Sequence, residues 1–388
     1  MPLLRKAIAT RRGGLPTFKP AGLAPQQAVS GLTNNDPTRD TYQRKIFYDG
    51  TNFFLFYWVL ADKRIYYVAS SDGITWTSPT SLVLFSIAPY SGGNADINYP
   101  ERGALSNDLK RVDMAMVMSG SNGASFNWDP YQISGQTLTQ VQGSSYASSG
   151  AQGGSVLASL NLQYDYYTFH STTGVWIGRS PASDSDQEAL TLGTTTTGGN
   201  QILPYKTSSP HNVFVLAKDA SSVLKYIIGE MAILDIACRF TGSFVSIATL
   251  NAGFSDFCGC SEAQEEGDPE RIHIVYVKST GELCYRKFES DTLGNEKVLV
   301  SSGASYPVIA AGSNGKLYVF YVKDSKIWVI HYNGSKWFKA VELFTKDHTY
   351  STPTYLSCNQ YVQTGKICLV WCEAEDGTYA VWFCYLED

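Results

Sequence analysis

YPVIAAGSNGKLYVFYVKDSKIWVIHYNGSKWFKAVELF, residues 306–344, breaks into four short apolar and aromatic runs separated by SNG, KDS and NGSKW. Each separator offers residues that tolerate tight or left-handed turns, and each run has the length of a strand, so the stretch reads as four antiparallel strands. Upstream, RIHIVYVKSTGELCYRKFESDTLGNEKVLV (271–300) has the same rhythm, and YSTPTYLSCNQYVQTGKICLVWCEAEDGTYAVWFCYL (350–386) repeats it downstream. KIFYDGTNFFLFYWVLADKRIYYVASSDGITWTSPTSLVL (45–84) is an earlier copy, and weaker copies fall at 109–141, 154–180 and 212–240.

The copies recur every 46–57 residues or so. Four strands per unit at that period predict an all-β fold, a β-propeller of four-stranded antiparallel blades around a central channel. Seven units are counted, with approximate blades at 42–84, 99–141, 151–192, 207–250, 257–300, 303–344 and 350–388, and six blades with long insertions stay open. The last unit ends after about three strands, so a strand from the other terminus, QQAVSGL (26–32), is expected to complete it and close the ring. Residues 1–25 then form an extended arm outside a single propeller domain, 26–388.

The totals fit this reading. The chain has 388 residues, 44% hydrophobic and 17% charged, with 25 Tyr and 34 Gly, as expected of aromatic strands punctuated by turns. Net charge is -5, yet Arg5, Lys6, Arg11, Arg12 and Lys19 all precede the first acidic residue, Asp36, giving a basic arm and an acidic body. No signal-peptide core follows Met1, the basic start is compatible with an organellar transit peptide, and the longest apolar run, residues 53–61, is too short to span a bilayer. A soluble protein is expected.

All eight cysteines lie in the second half, as a disulfide framework or as buried free thiols. If AEDG (374–377) turns a hairpin, Cys368 and Cys384 fall opposite each other and within bonding reach. Cys258 and Cys260 have the wrong spacing for zinc.

SSDGITW (70–76) places a hydroxyl, a carboxylate, a glycine and a tryptophan directly after the strand-like RIYYVA. Ser70, Asp72, Gly73, Thr75 and Trp76 resemble the Asp-box of sialidase-like and BNR-repeat propellers, one residue shortened between Asp72 and Gly73. The resemblance implies a turn between the third and fourth strands of a blade, outside any active centre. The chemistry agrees: Asp72 can accept amide hydrogens of its own turn, Gly73 can take positive φ, and Trp76 can cover the blade edge. NGSKW (333–337) sets Gly334 and Trp337 in equivalent places without the Asp, and that copy also resembles the repeats of propeller lectins that bind sugars between blades.

Sialidases of this fold grip a carboxylate with three arginines and use a tyrosine backed by a glutamate, and that set does not map here. Arg102, Arg179, Arg239 and Arg271 are available, but none stands in a matching context. A glycosidase needs two carboxylates about 5–10 Å apart. The candidates are Asp96 and Glu101 in DINYPERG (96–103), where Tyr99 and Arg102 also converge before an inner strand; an ordinary interblade loop is the alternative. No cofactor is expected; SDSDQE (183–188) offers oxygens to Ca²⁺ but lacks the usual loop spacing. The five histidines fall in separate units, with His273 and His331 read as packed or edge residues, and no phosphate loop or dinucleotide fingerprint is present.

Two functions are carried forward. In the first the propeller is a non-catalytic surface-binding or adhesion module for glycan or protein. Its ligand-binding candidates are Tyr99, Arg102, Trp128, Tyr131 and Trp176, and its basic arm docks it onto a larger assembly such as a virion. In the second it is a glycoside hydrolase or lyase acting through Asp96 and Glu101. Neither nucleic-acid recognition by the propeller nor a membrane span is expected.

Overall fold

The computed structural model describes residues 18–388 with internal gaps, the longest at 85–94, 99–110, 158–164, 181–186, 191–198 and 232–237. Between residues 95 and 190 it gives mostly the backbone course. Among the described residues there is no α-helix, only strands and one short 3-10 turn at Ser313–Gly315.

The strands form seven separate antiparallel sheets. The first runs over Ile46–Tyr48, Phe53–Val59, Arg64–Ser70 and Thr80–Leu84. The second starts at Ala95–Asn98, the third at Gln152–Leu157, the fourth at Asn200–Lys206 and the fifth at Phe257–Ser261. The sixth holds Ser305–Ala311, Lys316–Lys323, Lys326–Asn333 and Val341–Glu342. The seventh holds Thr354–Cys358, Lys366–Glu375 and Thr378–Glu387, and its outer strand is Gly22–Leu32 from the other end of the chain. That strand starts four residues before the boundary expected at position 26.

The second strands show why the sheets stack. Lys316–Lys323 is buried at every position but its two ends, so it has apolar side chains on both faces. A strand covered on both faces reads as a continuous apolar run, and KLYVFYVK is one. The hairpin that follows turns through Asp324 and Ser325, both at positive φ (52° and 57°), with Lys323 opposite Lys326. This is a two-residue turn whose twist suits the flanking strands. The fourth strand of the sixth sheet, Val341–Glu342, is only two residues long, which leaves little exposed edge.

First strands pack against the neighbouring sheets from the second sheet on to the seventh, and the seventh packs against the first. The link from the seventh sheet's outer strand to the first sheet crosses the middle. Thr38 Oγ1 donates to Tyr355 O at 2.9 Å and Thr41 Oγ1 to Phe257 O at 2.8 Å, while Ser357 Oγ donates to Gln43 O at 2.7 Å. These partners belong to the first strands of the seventh, fifth and seventh sheets.

The cysteine pairing is corrected. The hairpin places Cys368 opposite Tyr385 and Leu369 opposite Cys384, one residue out of the expected register. Because side chains alternate along a strand, the two thiols point to opposite faces, each into a different core cluster, and both are free.

Candidate functional site

Two turns stand at corresponding places in the first and sixth sheets, between the third and fourth strands. In the first, Asp72 Oδ1 accepts the amide hydrogens of Ile74 and Thr75, both at 2.8 Å, and the Ser70 hydroxyl at 2.9 Å, while Ser70 Oγ accepts Gly73 N at 2.8 Å. The bonds from Thr75 and Ile74 hold the Asp72 carboxyl at about 2. Gly73 sits at φ 75°, and a Cβ there would meet Leu23 at 2.7 Å. In the second turn Asn333 Oδ1 accepts Ser335 N at 3.2 Å and Lys336 N at 3.0 Å. Asn333 thus fills the place of Asp72, its amide oxygen doing what the carboxylate does in the first turn.

Each turn lays its tryptophan on a ring from the third strand of an adjacent sheet. Trp76 meets Phe383 edge-on at 5.1 Å, and Trp337 meets Tyr285 edge-on at 4.9 Å. Phe383 lies opposite Val370 and Tyr285 opposite Val275, so the two rings hold matching register.

The ground beneath the two tryptophans differs. Phe383 packs with Phe53 and belongs to an apolar cluster that includes Leu55 and Val68. Tyr285 instead starts a polar chain: its hydroxyl lies 2.8 Å from His273 Nδ1, and His273 Nε2 lies 2.6 Å from Glu262 Oε1. Burial works to raise the Glu262 carboxyl, but bonding to His273 and the charges of His273 and Arg271 bring it below the ordinary value. When the His273 ring is neutral, Glu262 accepts the Nε2 hydrogen and Nδ1 accepts from the Tyr285 hydroxyl; when it is charged, Nδ1 donates to that hydroxyl instead. Burial raises the Tyr285 phenol.

At the rim Arg271 pairs with Glu289 and lies 3.5 Å from Glu262, and Lys287 lies 2.6 Å from Glu289. Bonds from Lys287 and then Arg271 hold the Glu289 carboxyl at about 2. The Arg271 and Lys287 side chains are 37% and 42% exposed, enough to meet a ligand while anchored. An arginine, a lysine and two carboxylates therefore cluster at the rim of the fifth sheet, and the chain through His273 and Tyr285 links them to Trp337 of the sixth. In the sequence Arg271 has no family context; in the structure its context is the tryptophan turn one repeat downstream.

The residues expected to form a site are not gathered this way. Asp96 is fully buried: its carboxylate accepts Arg44 Nη2 at 2.8 Å, Arg44 Nε at 3.1 Å and Arg44 N at 2.7 Å. Burial works to lower the Arg44 guanidinium, and Asp96 more than offsets it. Asp96, expected as a catalytic candidate, is half of a buried ion pair with Arg44 on the link between the first and seventh sheets. Tyr131 is corrected from the rim to the core, 2% exposed beside Phe47 and Trp58. Trp128 and Trp176 fall inside strands Gly123–Ser134 and Val175–Ser180, and their side chains lie outside the described residues. Tyr99, Glu101, Arg102 and residues 183–186 of the acidic loop also lie outside them. Among the described residues no three His, Cys, Asp or Glu side chains are gathered to hold a metal, and no helix is long and apolar enough to cross a membrane.

No protein-family model matches the chain, and no curated protein matches it. Solved structures do. AofleA from Arthrobotrys oligospora is 9% identical, with 85% of this chain and 96% of that chain covered at a TM-score of 0.51. A Trypanosoma rangeli sialidase in complex with 2,3-difluorosialic acid is 11% identical, with 94% of this chain covered at a TM-score of 0.50. This chain spans only 59% of that sialidase. An Aleuria aurantia lectin in complex with α-methyl-L-fucoside is 12% identical, with 89% of this chain and 93% of that chain covered at a TM-score of 0.49. Identities this low speak to fold alone, and the fold is an all-β propeller of antiparallel four- and five-stranded sheets.

Proposed function

We propose that the chain is a carbohydrate-binding propeller that takes glycan in the crevice between the fifth and sixth sheets, without turning it over. One observation carries this reading: Arg271, Lys287 and Glu289 stand partly exposed on the same strand face as Tyr285, whose ring meets that of Trp337. A sugar offers hydroxyls to fixed charged groups and an apolar face to an aromatic ring, and this crevice supplies both. The T. rangeli sialidase holds a sugar derivative on a similar fold, an analogy of fold that lends support without assigning residues.

The finer architecture belongs to the same proposal. The seven sheets are the blades of a ring closed by strand Gly22–Leu32, and the turns at Asp72 and Asn333 are an Asp-box and its amide variant. The propeller serves surface binding or adhesion, and the basic residues before Phe18 dock it onto a larger assembly such as a virion. Against the hydrolase alternative stands the burial of Asp96 and its pairing with Arg44.

A glycan-array screen, run beside a test of product release, decides between these. Binding that disappears in Arg271→Ala, with no product released, is the expected result. Product release abolished by Glu101→Gln would return the argument to an enzyme.

A further inference from the structure

The crevice on the sixth sheet repeats that of the fifth, with one difference in what fills it. Arg271 and His273 open the fifth sheet's second strand and lie opposite Glu289 and Lys287; Lys316 and Tyr318 open the sixth sheet's second strand and lie opposite Asn333 and His331. Lys316, Tyr318, His331 and Asn333 therefore hold the places of Arg271, His273, Lys287 and Glu289. The rim ion pair recurs as well, because Lys316 Nζ lies 3.6 Å from the Asp388 carboxylate, which also accepts the Tyr318 hydroxyl at 3.0 Å and Ser313 N at 2.7 Å.

An aromatic ring also covers this second crevice, but it comes from the N-terminal arm. Phe18 stacks on the His331 imidazole at 4.6 Å and 29°, with its edge toward Tyr318 at 6.0 Å. Tyr318 and Phe338 flank His331 at 4.8 and 5.4 Å. Spacing along the chain explains the substitution. Trp76 stands four positions before Thr80, Trp337 four before Val341 and Phe18 four before Gly22, each the start of an outer strand. In the seventh sheet that strand comes from the other end of the chain and is not joined to the third by a hairpin, so its covering ring is not held in a turn between them.

Phe18 is also an incomplete occupant. His331 is 6% exposed and its Nδ1 has no hydrogen-bond partner. A phenyl ring cannot supply one, and an unmet buried polar atom is costly. A pyranose could lay its apolar face on Tyr318 and His331 and give Nδ1 a hydroxyl.

We propose that the Tyr318–His331–Phe338 slot is a second carbohydrate site, held closed in cis by Phe18, so that the arm regulates how many ligands the ring carries. The sugar class rests on the function proposed above; the plug does not.

Full-length wild type and Phe18→Ala are titrated calorimetrically with methyl α-L-fucoside, methyl α-D-mannoside, methyl β-D-galactoside and methyl α-N-acetylneuraminide. Phe18→Ala binds one more equivalent per chain than wild type, and the added His331→Phe substitution removes it. The added equivalent survives in Phe18→Ala/Arg271→Ala, which has lost the fifth-sheet crevice. A folded Phe18→Ala with wild-type stoichiometry overturns the plug while leaving the fifth-sheet site standing. Binding by Phe18→Ala alone, with wild type silent, supports the plug and overturns that site; silence in both overturns the two together. Phe18→Leu, which keeps apolar volume without a flat ring, repeats the test if the alanine variant unfolds. A chain that unfolds with either residue overturns the proposal, since a ring that cannot leave is no plug.

Discussion

In the first and sixth sheets the same turn is made twice, once with Asp72 and once with Asn333, and each turn lowers a tryptophan onto a neighbouring sheet. Trp76 lands among phenylalanines and aliphatic side chains, where it can only pack. Trp337 lands on Tyr285, at the head of a chain leading through His273 to Glu262 and out to Arg271. The turn is therefore a structural device in both places, and what it can do besides is decided by the strand beneath it. A motif of this kind identifies the blade, and the neighbouring blade identifies the site.

The sharpest way to break the comparison is to remove each tryptophan. Trp76→Ala and Trp337→Ala are each expected to destabilise the fold by about 3 kcal/mol, read by denaturant unfolding. Only Trp337→Ala is expected to weaken glycan binding as well. Equal binding losses from the two would mean that the difference between the crevices has no functional weight.

Next in size is the rim charge. Arg271→Ala removes charge-assisted hydrogen bonds and is expected to weaken binding by about 10- to 100-fold. Lys366, which opens the seventh sheet's second strand as Arg271 opens the fifth's, lies 3.9 Å over the ring of Tyr385 and pairs with Glu387, so Lys366→Ala should leave binding unchanged.

Acid separates the two turns by chemistry. The Asp72 carboxyl is held at about 2, below its ordinary 3.8, so its contribution is complete above about pH 4 and is lost as pH falls through 2. Glu289 titrates with the same sign. The difference between wild type and Asp72→Asn in acid unfolding therefore isolates the first turn, and the variant should show the shallower pH dependence. The smallest effect expected is from Asn333→Asp, which should add the same acid-sensitive step to the sixth sheet and slightly raise stability at neutral pH.

The repeat was legible because turn residues and apolar runs are local signals. SNG, KDS and AEDG mark turns, and the long apolar second strands announce burial on both faces. Other features depend on which strand neighbours which. The Cys368–Cys384 pairing failed by one residue of register, which no composition reveals. Asp96 looked exposed beside a loop because its partner, Arg44, lies 52 positions away on a link through the centre. Phe18 read as part of a loose arm, although it stands at the same distance from its strand as Trp76 and Trp337 from theirs. The fifth-sheet crevice was hidden because its polar residues and its tryptophan come from different repeats.

The most direct test is glycan binding by wild type and Arg271→Ala on one array, with the melting temperature of each measured alongside. Wild type should bind, and the variant should lose binding while still unfolding cooperatively, at a melting temperature only modestly lowered by the loss of the Glu262 and Glu289 pairs. A folded wild type that binds no glycan, or a variant that binds as wild type does, would contradict the assignment of the crevice.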